Sequence, residues 1–157
     1  MGYVIRVVEV DPTAFASVRQ RVGWGAVAAA IPSLMDRVYA HLRDSAIGKL
    51  GQNVCVYHDP SSRDVELEAG VQVAQPFEGR QGGVCCSRTP AGRAVWTVHM
   101  GRYEDLHIAH DAVALWCQAE NIIRHGVQWE VFGDWEDTPA SRRTDVYRLL
   151  GPTSGEI

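Results

Sequence analysis

One acidic residue in an apolar and aromatic stretch stands out for the chemistry it could perform. Glu130 lies in the segment 127–132 (VQWEVF), whose alternation predicts a strand with Gln128, Glu130 and Phe132 on one face. A buried carboxylate without a partner costs several kcal/mol, so it takes up a proton or pairs with a cation. Two interpretations stay open: Glu130 is solvated on an exposed strand face, or it is buried to meet a partner.

Most of the aromatic residues also carry a polar group, since the chain has 5 Trp and 5 Tyr but 3 Phe. Such side chains fill cores and line ligand pockets equally well. Tyr147, in the last predicted strand, is either a hydroxyl donor to the cavity of Glu130 or a sheet-packing residue. Trp116 lies on the apolar stripe of a predicted helix and is expected in the core, whereas Trp96 fits either role.

Two further tryptophans, Trp24 and Trp135, are predicted in loops at corresponding ends of the two halves of the chain. Exposed tryptophan is unfavourable in a loop, so both residues are candidates for the rim or lid of a ligand pocket. Packing at an interface is the alternative for both.

The spacing of the histidines and cysteines does not indicate a metal site or a catalytic thiol. His107 and His110 share one face of a predicted helix, but no third ligand follows at a recognisable distance, so we expect both to be solvated. We predict neither a metal nor a cofactor. The cysteines form no C-x-x-C motif and have no base nearby in the sequence, so we expect them to be reduced and mostly buried: Cys55, Cys85, Cys86 and Cys117.

The hydrophobic periodicity predicts a scaffold of strands and two helices that must position these residues. Alternating runs predict strands at 3–10, 14–22, 52–57, 65–74, 84–88, 93–100, 126–132 and 144–150. Apolar residues at spacings of three and four predict helices at 27–42 and 106–123. Pro32 lies within the first helix, which therefore either kinks or begins there. The Gly-rich segment 76–83 is expected to be a flexible connection.

The order of these elements repeats, and part of the sequence repeats with it. Residues 51–59 align without a gap with residues 126–134, with matching glycines, valines, aromatic residues and aspartates. The alignment predicts that Cys55 and Tyr57 face Glu130 and Phe132 across a pseudo-twofold axis. A pocket at that axis would have one acid and two aromatic walls, which suit a flat or cationic guest.

The composition is that of one globular domain of 157 residues, 1–157, with half-repeats expected at about 1–76 and 84–150. The formal net charge is −4 and the pI about 5.8, which argues against direct nucleic-acid binding. The sequence has no run of ~20 apolar residues and no signal-peptide pattern. We therefore expect a cytoplasmic protein without membrane contact.

The second half of the chain carries four motifs in a fixed order. They are a Pro-Ala-Gly turn at 90–92, Gly101-x-Tyr103, Glu130-x-Phe132 and a Thr-Asp-Val-Tyr string at 144–147. Together they resemble the gyrase-inhibitor-like (GyrI-like) family, the effector-binding domain that also ends many AraC-type and MerR-type regulators. Phe132 stands where the family usually has Tyr. The first half resembles the family through its element order and the string VYHDP at 56–60.

This resemblance implies an α+β fold of two strand–helix–strand–strand repeats, with antiparallel sheets, two main helices and a concave pocket between the repeats. It also implies that the pocket takes hydrophobic, aromatic or cationic small molecules and that Glu130 is the acidic recognition residue. Because no helix-turn-helix precedes Tyr3, we expect a stand-alone sensing or sequestering domain rather than a DNA-binding regulator. The candidate ligand-binding residues are Glu130, Tyr57, Phe132, Tyr147, Cys55, Trp24, Trp96 and Trp135.

An enzymatic activity is the alternative that the same resemblance implies. Some members of the family are hydrolases that open strained cyclopropane rings of reactive natural products. In that case Glu130 would act as general base, and Tyr147 or Tyr57 would orient water or the leaving group. A protein partner such as a topoisomerase, which the family's name suggests, is compatible with the acidic charge but has no support in the residues.

Overall fold

The computed structural model describes residues 2–43, 45 and 50–151. The chain divides into two compact units, one formed by Pro12–Thr89 and the other by Met1–Asp11 together with Pro90–Ile157. We call them the central unit and the terminal unit. Each contributes antiparallel strands and one long helix, so the expected α+β class is confirmed.

The elements follow one another in an order close to that predicted from the sequence. In chain order they are β1 (Arg6–Val10), β2 (Ala14–Gly23), α1 (Val27–Arg43), β3 (Leu50–His58), β4 (Asp64–Val73), β5 (Arg80–Gln81), β6 (Val84–Arg88), β7 (Gly92–Met100), α2 (Leu106–Ala119), β8 (Arg124–Phe132) and β9 (Arg143–Leu150). Short 3-10 turns at Trp24–Ala26 and Tyr103–Asp105 lead into the two helices, and a third, Pro139–Ser141, lies between β8 and β9.

The central unit orders its strands β3-β4-β2-β6-β5, each antiparallel to its neighbours. Helix α1 buries Leu34, Val38 and Leu42 at spacings of four, which is the apolar stripe that its sequence predicts. The hydroxyl of Tyr39 on α1 donates to the side-chain oxygen of Asn53 on β3, so α1 covers the face of the sheet on which Asn53 lies.

The terminal unit orders its strands β1-β7-β9-β8, again all antiparallel. Helix α2 packs two clusters against this sheet, and it buries Leu106, Ala109, Val113 and Cys117. Trp116 packs at the edge of the cluster around Val113, as its place on the apolar stripe predicts.

The two units have the same strand arrangement, which is the order expected of two strand–helix–strand–strand repeats. In each unit the strand before the helix lies beside the second strand after it, and an additional strand pairs with its other edge. In the central unit the short β5 extends this order by one more strand. That additional strand comes from the other half of the sequence: β1 pairs with β7, and β6 pairs with β2. The halves therefore exchange their first strands, and this exchange is not visible in the local sequence pattern.

Several boundaries differ from the predicted ones for identifiable reasons. Helix α1 starts at Val27 and continues through Pro32, which lies on its exposed side, so the helix does not begin there. Helix α2 ends at Ala119 rather than at residue 123, because Asn121 has a left-handed φ of 55° and the Ile122 N–H donates to the Cys117 carbonyl.

The N-terminal strand and the Gly-rich connection also differ from the prediction. Strand β1 starts at Arg6 instead of residue 3, and the Tyr3 hydroxyl forms a side-chain hydrogen bond with His99 Nδ1 at 2.9 Å. The connection 76–83 contains the two-residue strand β5, which pairs with β6. Within the described part of the chain, no helix has the length and apolar character needed to cross a membrane.

Candidate functional site

Glu130 is buried in the sheet of the terminal unit, with 2% of the residue exposed. It lies on β8 directly opposite Val146 of β9, so both side chains point to the same face of the sheet. Helix α2 covers that face, because His110 on α2 forms a hydrogen bond with the Glu130 carboxylate. The interpretation of Glu130 as a solvated strand residue is therefore wrong.

The partner from α2 is a residue that the sequence analysis set aside. His110 Nε2 lies 2.9 Å from Glu130 Oε2, and the His110 side chain is 14% exposed. The expectation that His110 is solvated is wrong, because it lies one turn after buried Leu106, on the side of α2 that packs on the sheet. His107, one turn earlier, is exposed as expected, and its Nδ1 hydrogen-bonds the Glu104 carbonyl at 2.9 Å.

Apolar and aromatic side chains occupy the same face as Glu130. Leu106, Ala109 and Val146 form a buried cluster, against which the partly buried Tyr103 and Phe132 pack. A carboxylate among such neighbours is poorly solvated, so its charge must be balanced by hydrogen-bonding or cationic partners.

Three aromatic rings lead from the neighbourhood of Glu130 to the surface, and we call them the aromatic path. Phe132, two residues after Glu130 on the same face, meets Tyr103 edge-to-face with ring centroids 5.5 Å apart. Tyr103 in turn lies 6.2 Å from the ring of Trp135, which is 63% exposed. The structure thus groups Glu130, Phe132 and Trp135, and it adds Tyr103, which the sequence analysis used only as a family motif.

Tyr147 and Trp96 lie on the opposite face of this sheet from Glu130. Tyr147 pairs directly with Trp129 on β8 and stacks on it with centroids 4.9 Å apart and planes 6° from parallel. Trp96 pairs with Tyr147 from β7, and its indole N–H donates to Asp145 at 2.9 Å. Burial and the charge of Asp145 raise the pKa of Tyr147, which therefore remains a neutral phenol at physiological pH.

The remaining candidates belong to the central unit. Cys55 and Tyr57 on β3 pair with Ala69 and Leu67 on β4, are both buried, and share the face covered by α1. Trp24 is 40% exposed, and its indole N–H donates to the Ser61 carbonyl at 2.8 Å.

Trp24 and Trp135 do not occupy corresponding places, contrary to the prediction. Trp24 opens the 3-10 turn before α1, and the residue that opens the matching turn before α2 is Tyr103. Trp135 lies instead in the connection between β8 and β9.

A second buried carboxylate, Glu68 on β4, was missed by the sequence analysis. Ser17 donates to it at 2.7 Å, His58 Nε2 lies 2.8 Å from it, and Arg19 donates at 3.1 Å, while the residue is 2% exposed. Burial raises the pKa of Glu68, but hydrogen bonds from His58, Ser17 and Ser87, together with the charge of Arg19, outweigh it and lower the pKa to about 2. Glu68 is thus an anion at neutral pH, and both of its oxygens have partners.

The described residues around Glu130 give no indication of metal or thiol chemistry. In the described ranges 2–43, 45 and 50–151, no group of three or more His, Cys, Asp or Glu side chains is placed to hold a metal ion. Cys117 on α2 is buried, and burial raises the pKa of its thiol, which makes it a poor nucleophile at neutral pH. The arrangement at Glu130 is therefore suited to binding charge in an apolar and aromatic setting.

Comparison of structures identifies the fold of this protein, whereas comparison of sequences finds no matching family. No protein-family model matches the chain, and no curated protein matches it in sequence. The crystal structure of the EcmrR C-terminal domain superposes with a TM-score of 0.74 at 20% identity, over 98% of this chain and 100% of that one. The expected GyrI-like fold is confirmed by this similarity.

Two other solved structures share the fold at lower sequence identity. SAV2435 bound to tetraphenylphosphonium has a TM-score of 0.64 at 9% identity, with 96% of this chain and 94% of that chain covered. A hydrolase from Listeria innocua has a TM-score of 0.62 at 12% identity, with 94% of this chain and 91% of that chain covered. Proteins of this fold thus include one bound to an organic cation and one described as a hydrolase.

Proposed function

We propose that this protein binds small organic cations and that Glu130 is the carboxylate that recognises their charge. The observation that carries the proposal is a carboxylate with 2% exposure set among Leu106, Ala109 and Val146, beside the rings of Phe132 and Tyr103. Apolar walls with a single acid favour a guest that combines a hydrophobic body with a positive charge.

The hydrogen bond with His110 explains how such a site is kept folded without a guest. His110 holds one oxygen of Glu130 at 2.9 Å, so the carboxylate is not left uncompensated in the core. A cation that approaches Glu130 competes with His110 for this oxygen. Binding therefore requires the His110 side chain on α2 to move away from Glu130. The free energy of binding is the interaction of the cation with Glu130 less the cost of breaking the hydrogen bond with His110.

The bound state of SAV2435 supports this assignment, because that protein shares the fold and holds tetraphenylphosphonium. The resemblance to effector-binding domains supports the same role. We therefore assign the protein to sensing or sequestering hydrophobic cations, with the small molecule as its partner.

Binding is the function that the residues support better than hydrolysis. The ring-opening mechanism places Glu130 and a tyrosine hydroxyl around one water molecule. Tyr147 faces away from Glu130, because its cross-strand partner is Trp129, the residue before Glu130. Glu130 and Tyr147 are therefore not proposed as a catalytic pair.

Calorimetric titration with tetraphenylphosphonium tests the proposal, with tetraphenylborate as the anion of nearly the same shape. We expect the wild-type protein to bind the cation and to discriminate against the anion. Glu130→Gln keeps the size of the side chain and removes its charge, so it should weaken cation binding by about tenfold or more. Glu104→Gln, an equivalent change at a surface position with 70% side-chain exposure, should leave the affinity within about twofold.

The outcomes separate the charge of Glu130 from general hydrophobic binding. Equal affinity for both ions would show that charge plays no part. Equal losses in Glu130→Gln and Glu104→Gln would show that only net charge matters, and the role of Glu130 would be refuted. Circular dichroism of both variants establishes that each remains folded before the affinities are compared.

A further inference from the structure

The exposed end of the aromatic path already holds a cation that belongs to the protein itself. The guanidinium carbon of Arg142 lies 3.8 Å from the centre of the Trp135 ring and 5.7 Å from that of Tyr103. A separation of 3.8 Å is that of direct stacking between a planar cation and an aromatic face. The two rings therefore form an aromatic surface of the right size for a guanidinium group.

Two backbone carbonyls of the adjacent loop hold the Arg142 guanidinium in place. Its Nε donates to the Glu136 carbonyl at 2.9 Å, and a terminal nitrogen lies 3.5 Å from the Asp137 carbonyl. The edge of Trp135 is also bonded within the loop, because its indole N–H donates to the Asp137 carboxylate at 3.2 Å. The ring thus stays oriented by the loop even when Arg142 leaves it.

The charge of this loop favours a cation on Trp135. Asp134, Glu136 and Asp137 surround the ring in the sequence, and all three are exposed. The segment 133–137 itself carries three negative charges and no positive one, so Arg142 balances part of this charge from outside the segment. A positive guest would therefore be attracted both by the ring and by the local electrostatic field.

We infer that Tyr103 and Trp135 form a binding subsite for planar, delocalised cations such as amidinium and guanidinium groups, and that Arg142 is its internal, competing occupant. The inference rests on the proposed function, because a cation held at Trp135 is at the outer end of the aromatic path that leads to Glu130. Arg142 then lowers the affinity of the subsite and selects guests that stack better than a guanidinium.

Titration with benzamidinium, followed by NMR at the tryptophan indole N–H groups, tests this assignment. The Trp135 signal is identified by its disappearance in Trp135→Phe. In Arg142→Gln the subsite is vacated without loss of loop length, so benzamidinium should shift the Trp135 signal with an affinity about three- to tenfold higher than in the wild type. Arg143→Gln is the matched control, because Arg143 pairs with Asp145 instead of stacking on a ring.

Each outcome bears on the subsite separately from Glu130. An unchanged affinity in Arg142→Gln, or an equal gain in Arg143→Gln, would overturn the inference. If Glu130→Gln leaves tetraphenylphosphonium binding intact while the Trp135 signal still responds in Arg142→Gln, the proposed function fails and the subsite stands. Should Arg142→Gln disorder the loop, Arg142→Lys replaces the planar cation by a compact one, and it too should raise the benzamidinium affinity; no gain there would count against the inference.

Discussion

Two buried glutamates, Glu68 and Glu130, lie in different chemical surroundings. Glu68 is bound by Ser17, His58 and Arg19, and its low pKa reflects these donors. Glu130 lies against an apolar cluster of α2 with His110 on one oxygen. Polar donors surround Glu68, whereas Glu130 lies among apolar and aromatic side chains, which is the setting on which its proposed role in cation binding rests.

Replacing His110 should destabilise the protein because it takes a partner from a buried carboxylate. We expect His110→Ala to lower the free energy of unfolding by about 1–3 kcal/mol, measured by urea denaturation at pH 7. His107→Ala on the exposed side of the same helix should change it by about 0.5 kcal/mol or less. Equal stability of the two variants would show that the hydrogen bond of His110 with Glu130 contributes nothing to the free energy of unfolding.

Glu68 should make the stability depend on pH in the acid range. Its pKa of about 2 in the folded state lies below the ordinary value of 4.5, so the carboxylate stabilises the fold above about pH 4.5 and loses this effect as the pH falls towards 2. The stability difference between wild type and Glu68→Gln should be about 3 kcal/mol larger at neutral pH than near pH 1, and by pH 3 less than half of that excess should remain. Urea denaturation of both proteins at pH 7 and pH 3 measures the change. A difference that stays the same at both pH values would contradict the assigned interactions.

At the scale of the elements, the pairing of β2 with β4 depends on a close approach between the two strands. Gly70 on β4 lies opposite Ser17 on β2, and a Cβ added at Gly70 would come within 1.8 Å of the Ala16 carbonyl oxygen. No real Cβ tolerates this distance, so β2 and β4 could remain paired only after a shift of backbone.

Gly70→Ala should therefore be strongly destabilising although it adds only one methyl group. We expect a loss of about 3 kcal/mol or more in the free energy of unfolding, or failure to accumulate folded protein. Gly25→Ala is the matched control, since a Cβ at Gly25 meets nothing within 4 Å. Thermal denaturation of both variants compares them, and similar melting temperatures would show that β2 and β4 do not approach as closely as described.

At the scale of the whole molecule, each unit is completed by a strand from the other half of the sequence. Strand β1 pairs with β7 in the terminal unit, and the preceding residues add Tyr3 against the cluster of Leu106 and Ile5 against that of Val113. The N-terminal segment is therefore part of the terminal unit's core, despite its distance in sequence.

Removal of residues 2–11 should expose β7 as an unprotected edge strand. We expect amide exchange in β7 to accelerate strongly, because its hydrogen bonds to β1 and the packing of Tyr3 and Ile5 are lost. Hydrogen–deuterium exchange with mass spectrometry measures this at residues 92–100. A synthetic peptide of residues 2–11 added in trans should restore protection, and unchanged exchange in the shortened protein would contradict the pairing.

The sequence by itself determined most elements and their order, and it singled out Glu130 as a candidate site residue. Strands and helices are visible locally because side chains alternate with a period of two or 3.6 residues. The buried positions of α1 follow the helical period, whereas the middle of β4, 67–71, is buried on both faces and alternates only at its ends. The GyrI-like motifs also lie within short segments, which is why the fold could be expected from them.

Only the tertiary structure decided which side chains meet. His110 and Glu130 are 20 residues apart, and their contact depends on how α2 lies on β8. Strand register decided that Tyr147 pairs with Trp129 and so faces away from Glu130, and a register one residue different would have reversed this. The exchange of β1 and β6 and the stacking of Arg142 on Trp135 likewise join distant segments. Periodicity describes each segment alone, whereas partners are chosen by long-range packing of the whole chain.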